Sequence, residues 1–342
     1  MSTATTAGDQ AYFSMASNPT QFAGAPFGYR ILTPVIVWLL PVEATTGFVV
    51  VNILSLATVS SLLYIYLEKL NFNEKLSQLG MLSFLLSPMV LIYLWEITST
   101  VDPLSYVFLM VGLIAIRDDN ILLLSSSIFI GMLAKETTLL LVGIYGLKIW
   151  FENGIWAGIR QGIPIGIAGI IPYLGIRLIF GFESYYTISE VIRVLEHLQS
   201  SILTSPIMFL GNIYIIFGSL WILFPFGSVD LRKPILTASL VAIIPVSLQI
   251  FLGVSTTRLL FLGFPILIPI SLVAFSEEST LTTMIALVAV GSGILGIVGG
   301  GVSFILGVGG LVPWVGTIFG IHELVIAYFC FQEYQTPLSK IA

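Results

Sequence analysis

The feature that most constrains this chain is a succession of long apolar runs separated by short polar turns. Runs such as Gly47–Leu67 and Gln78–Trp95 carry almost no charge, and each approaches the about 20 residues a helix needs to cross a bilayer. Further runs cover Leu104–Ile116, Ile121–Trp150, Gly162–Gly181, Ile207–Phe226, Ile235–Val254, Leu259–Phe275, Leu281–Leu306 and Leu311–Phe331. Only 9% of the residues are charged and the mean hydropathy is +1.03, against about 25% charged in soluble domains. The chain therefore reads as an all-α, polytopic transmembrane bundle of about 10–11 spans, with short helices at the outer interface.

Three regions follow from this pattern. Residues 1–45 form a polar head and an interfacial helix, 46–332 the multi-span domain, and 333–342 a cytoplasmic tail. The N-terminus has neither the basic nor the apolar segment of a cleavable signal. Ile31–Pro41 is too short to span and reads as a helix lying at the interface, with Trp38 near the headgroups. Pro103 opens the helix after the VDP turn. Lys135-Glu136 interrupts the 121–150 run, and bare charge at mid-membrane is costly, which favours two short helices meeting there near one face over one helix with a buried ion pair. FENGIWAGIRQ reads as a loop, and Pro164 and Pro172 kink or break the span after it. Between about 187 and 200, apolar residues at helical spacing with Thr187 and Glu190 as a capping box indicate an amphipathic surface helix.

The basic residues orient the bundle. Alternating the spans places eight Lys and Arg on one side and five on or near the other, which assigns the first side to the cytoplasm. The head, the VDP turn, the 182–205 segment and Arg258 then share the extracytoplasmic face of a cell membrane. The formal charge of -5, spread over short loops, argues against a nucleic-acid partner. One cysteine, Cys330, excludes an intrachain disulfide, and two histidines make a zinc site implausible.

The head carries a pattern, Asp9 with Tyr12 and Ala16 followed by PFGYRILTP, that reads D-x-x-Y-x-x-x-A … P-F-x-Y-R-x-L-x-P. It resembles the front end of GT-C-type glycosyltransferases, polytopic enzymes that use polyprenyl-phosphate-linked sugars. TSTVDPLSYVFLMVGL around Asp102, GMLAKETTLLLVG around Lys135-Glu136 and TTRLLFLGFPILIPISL around Arg258 are similar to later parts of the poorly characterised prokaryotic members. The resemblance spans roughly residues 9–275 and implies an inverting transfer from a lipid-linked sugar donor to a glycan, lipid or protein acceptor. Such a transfer needs a base at the acceptor hydroxyl and cations at the departing phosphate. By resemblance Asp9 is the base. Arg30 and Arg258 are the candidate phosphate ligands, a guanidinium matching phosphate in two-pronged fashion. Tyr12, Tyr29, Glu96, Asp102, Lys135, Glu136 and His197 complete the expected pocket. No metal site is indicated, although Glu96 and Asp102 carry oxygens suited to a divalent ion.

Competing readings stand beside these. Asp9 reads alternatively as a polar residue of a frayed terminus, a reading the motif around it weakens, Arg30 and Arg258 as interface snorkellers, and Lys135-Glu136 as a structural pair at a helix break. His322-Glu323, inside the last span, is either functional or a self-satisfied pair. GSGILG at 291–296 lacks the strand–helix setting of a nucleotide loop. Its glycines, with Gly300, instead indicate close helix packing. The alternative to an enzyme is a non-catalytic transporter, lipid-handling protein or scaffold subunit of glycan assembly.

Overall fold

A computed structural model describes residues 7–95, 99–183, 192, 214, 216–223, 237–238, 258, 261–277, 279–306 and 312–334. Among them every regular element is helical and no strand occurs. Three helices are long and apolar enough to cross a membrane, Ala44–Lys69, Ile155–Phe180 and the Val288–Ile305 stretch, and a bent pair makes a fourth. The predicted spans at 207–226 and 235–254 fall mostly, and the surface helix at 187–200 almost wholly, outside the described residues. The chain divides into two compact units. The first comprises residues 1–62, 93–193 and 232–242, and the second 63–92, 194–231 and 243–342.

The first unit begins with α1 (Ala7–Ser17), a 3₁₀ turn at Phe27–Tyr29 and α2 (Leu32–Leu39). A short helix is thus present where one was predicted, as α2, with Trp38 and Leu39 exposed. Helix α1 is no frayed end. Its Tyr12, Met15 and Ala16 are buried in one apolar cluster with Val37, Val101 and the Phe48 and Val51 of α3 (Ala44–Lys69).

Helix α6 (Asp102–Arg117) starts with Pro103 in its first turn, where the missing N–H has no partner to lose. It closes on Asp119 in the left-handed region, φ 53°, while Asn120 accepts from Leu123 N–H to cap α7 (Ile121–Ala134). At Lys135 the backbone is extended, φ −166° and ψ 144°. A 3₁₀ turn (Glu136–Leu139) then leads into α8 (Leu140–Asn153), so the 121–150 run is two helices meeting at Lys135-Glu136, as its charges predict.

Helix α9 (Ile155–Phe180) corrects the next expectation. FENGIWAGIRQ is not a loop, because Gly154 alone, at φ 88°, connects α8 to α9. Arg160 and Gln161 are helical, and Gln161 is held by the Tyr145 hydroxyl at 3.1 Å. Pro164 and Pro172 lie within α9 without ending it. The turn is this tight because a Cβ on Gly158 would stand 2.6 Å from the Gly146 carbonyl oxygen. The two backbones approach as small residues allow.

In the second unit, α4 (Glu74–Leu85) is capped by Asn73, which accepts from Leu76 N–H. The expected single span 78–95 is broken at Leu86-Ser87, where α4 and α5 (Pro88–Trp95) bend by 43°. Pro88 is the cause: it donates no N–H and disfavours helical backbone at Ser87. The Ser87 hydroxyl repairs the break, accepting from Met89 N–H and donating to the Ile216 carbonyl at 2.7 Å.

The Ser279–Ile305 and Val312–Tyr334 helices form a hairpin. A Cβ on Gly296 would meet Gly316 O at 2.8 Å, and one on Gly300 would meet Pro313 O at 2.5 Å. GSGILG is therefore part of an uninterrupted helix, and its Gly293 and Gly296 serve close packing, whereas Gly291 faces open space.

Candidate functional site

The site of the first unit is assembled around Asp102. Placed in the first turn of α6, its carboxylate faces the partial positive charge of a helix start. It is fully buried, and the Lys135 ammonium lies 2.6 Å from Oδ1. Tyr93 donates to Oδ2 at 3.4 Å and shares a 2.7 Å hydrogen bond with the Tyr106 hydroxyl. Lys135 can reach Asp102 because the chain unwinds at that residue. A helical Lys135 would continue the packed surface of α7 instead. The break and the ion pair are one feature.

Glu136 pairs with Arg30, Nε to Oε2 at 3.0 Å, and Arg30 Nη1 donates to the Tyr12 hydroxyl at 3.3 Å. Burial alone would depress the Arg30 guanidinium, but Tyr12, Glu136 and then Asp102 outweigh it and hold it above its ordinary value. Burial likewise pushes the Glu136 carboxyl up. Arg30, its own backbone N–H and Lys135 overcome that and hold it below its ordinary 4.5. Asp102 and Glu136 therefore belong to one electrostatic network with Arg30 and Lys135. The Arg30 Nη2 makes no hydrogen bond among the described residues.

Asp9, half-buried on α1, accepts a hydrogen bond from the Ser99 hydroxyl just ahead of α6. The head is held over this region by Tyr12, whose ring meets Phe27 edge-on at 5.7 Å. Of the residues the sequence singled out, Asp9, Tyr12, Arg30, Asp102, Lys135 and Glu136 share this unit and are linked by these contacts. Neither Arg30 nor Lys135 is a free snorkelling cation.

Tyr29 goes elsewhere. Its hydroxyl donates to Gly181 O at 2.7 Å and accepts from Glu183 N–H at 2.8 Å, fixing the head to the C-terminal end of α9. Its ring carries the Arg177 guanidinium at 4.0 Å. Arg258, half-buried, belongs to the second unit. Glu96 and His197 lie outside the described residues. Sequence reading missed Ser99, Tyr93 and Tyr106. Ser99 was one of three hydroxyl residues, Thr98, Ser99 and Thr100, just before VDP, with nothing in the sequence to single it out, and the two tyrosines look like ordinary span residues.

The second unit buries a polar group of its own. Glu323 is completely enclosed; Ser219 N–H donates to Oε1 at 2.8 Å, and the Ser219 and Ser292 hydroxyls donate to Oε2, Ser292 at 3.0 Å. Gly218 (φ 59°) makes this possible, since a Cβ there would lie 2.0 Å from Glu323 Oε1. His322 Nδ1 stands 3.4 Å from Glu323 Oε1, yet neither ring nitrogen forms a hydrogen bond among the described residues. The carboxylate is thus satisfied by hydroxyls and backbone rather than by its histidine neighbour.

No protein-family model, curated protein or solved structure matches this chain.

Proposed function

We propose that this protein is a multi-span membrane glycosyltransferase that moves a sugar from a polyprenyl-phosphate carrier to an acceptor hydroxyl at the extracytoplasmic face of the cell membrane. The observation that supports this most is the linkage of the Asp9 segment to Ser99, three residues before the buried Asp102, within the unit that holds Lys135, Glu136 and Arg30. These residues come from four separate stretches of the chain, and all but Ser99 are ones the motif resemblance singles out. In this reading Asp9 takes the acceptor proton as the new bond forms, oriented by Ser99. Arg30, fixed through Nε by Glu136, offers its Nη2 edge to the departing phosphate. Asp102 and Lys135 hold the framework instead of contacting sugar. The test is transfer from a synthetic polyprenyl-phosphate sugar by the purified full chain in proteoliposomes. Donor-dependent glycosylated product supports the proposal, and none with a panel of hexose donors and acceptors counts against it.

The enclosed Glu323 favours a second reading, transport, because an intramembrane carboxylate often marks an ion path. Proton or solute flux in the same proteoliposomes, abolished by Glu323→Gln, would distinguish it.

A further inference from the structure

The geometry points to a phospholipid-binding site on the α8–α9 hairpin, with the lipid phosphate on Arg177 and one acyl chain in the groove beside it. Two independent features carry this. The first is a guanidinium prepared for an anion. Arg177, in the last turn of α9, is stacked at 3.6 Å on the Tyr173 ring and at 4.0 Å on the Tyr29 ring. Its one hydrogen bond among the described residues, Nη1 to the Tyr173 carbonyl, leaves most of its five N–H donors unused. Among the described residues no carboxylate pairs with it, and the nearby Glu183 carboxylate accepts from Ala25 N–H instead. Tyr29 cannot turn away, since its hydroxyl is bonded on both sides to the end of α9. Two aromatic faces hold the guanidinium plane, so its edge is aimed before any ligand arrives, and a guanidinium edge matches phosphate oxygens.

The second feature is a groove of about 520 Å³ between α8 and α9. Val142, Leu147, Ile159, Ile163 and Ile170 line it, and Gly143, Gly146 and Gly162 deepen it because no side chain fills the space. It follows α9 from Ile155 to Ile170, about 22 Å at helical rise. Arg177 follows Ile170 by two turns on the same helix face, about 10 Å further on. That face is outward: only 22% of the most apolar window of α9 is buried. A helix long and apolar enough to span therefore opens this groove to bilayer hydrocarbon, and the chemistry available there is an acyl chain. One leaflet's hydrocarbon is about 15 Å deep, so a chain hanging from Arg177 passes the roughly 10 Å to Ile170 and enters the near end of the groove, beside Ile170, Ile167 and Val142. A cation at one end and a hydrocarbon channel below it describe a phosphate diester with a long chain. The surrounding bilayer supplies such a molecule, and the site does not depend on sugar transfer.

The test is native mass spectrometry of the full chain released from detergent, titrated with phosphatidylglycerol, with diacylglycerol and with a polyprenyl phosphate. Wild type is expected to retain one phosphatidylglycerol, with Arg177→Gln weakening it about tenfold or more. Diacylglycerol is expected to bind no better than it does to that variant. Gly143→Leu, at a position where a Cβ meets nothing within 4 Å, fills the groove without a clash and should abolish retention. Melting curves report whether each variant is folded, and if Arg177→Gln is not, Gly143→Leu decides. Equal phosphatidylglycerol binding by wild type and Gly143→Leu overturns the proposal. So does diacylglycerol binding equal to phosphatidylglycerol, or retention of the polyprenyl phosphate alone.

Discussion

The Lys135 ammonium lies 2.6 Å from the fully buried Asp102 carboxylate, and α7 gives up its helical path to put it there. Removing one partner of a buried pair strands a charge, which costs about 3–5 kcal/mol, whereas replacing both is far milder. Lys135→Met is therefore expected to lower the melting temperature of the detergent-solubilised protein sharply. Asp102→Asn combined with Lys135→Met should recover most of that loss. Additive losses in the double variant would show that the pair does not act as a unit.

The Arg30–Glu136 pair makes stability sensitive to acid. The Glu136 carboxyl is held below its ordinary value, mainly because Arg30 overcomes the effect of burial. A group whose folded value is depressed contributes fully above its unfolded value and loses that contribution as the pH falls through the folded one. Melting temperature should therefore fall as the pH drops below about 4.5, and Glu136→Gln should flatten that part of the profile while being less stable at neutral pH. A Glu136→Gln profile parallel to wild type would exclude this pair as the source.

How far was this legible beforehand? The α7–α8 break announced itself, since two adjacent charges within an apolar run leave few structural options. The break at Leu86-Ser87 did not, because hydropathy averages over Pro88, whose effect is on the backbone. FENGIWAGIRQ misled in the opposite direction: its polar residues suggested a loop, but Gly154 alone turns the chain and Gln161 finds Tyr145. Within the site, single residues were visible and their partnerships were not. Asp102 and Lys135 are separated by two helices, α6 and α7, and no spacing rule pairs them. No spacing pairs Arg177 with Tyr29 either, and only the fold brings that ring onto its guanidinium.

The glycines of the second unit divide into those that are indispensable and those that are not. Gly218→Ala must place a Cβ in a left-handed residue against Glu323, and Gly296→Ala must push one into the facing helix backbone. Both should destabilise, by about 1–3 kcal/mol each. Gly299→Ala, where nothing lies within 4 Å, should be neutral or mildly stabilising through the helix preference of Ala. Equal melting temperatures for Gly296→Ala and Gly299→Ala would contradict the hairpin packing.

If Arg30 is aimed by Glu136, then Arg30→Lys should fail as a replacement. Lysine keeps the charge but loses the fork that binds Glu136 and presents Nη2 at once. Transfer activity is expected to drop at least about tenfold, with the melting temperature lowered by no more than in Glu136→Gln because the charge is kept. Full activity in Arg30→Lys would leave only a diffuse electrostatic role.

The most direct measurement is single-turnover sugar transfer in proteoliposomes by wild type and Asp9→Asn. Asparagine keeps the shape that accepts from Ser99 but cannot take a proton. A base loss of about 10²–10⁴-fold in rate, with donor binding and melting temperature near wild type, is the predicted result. Transfer by Asp9→Asn at the wild-type rate would contradict it.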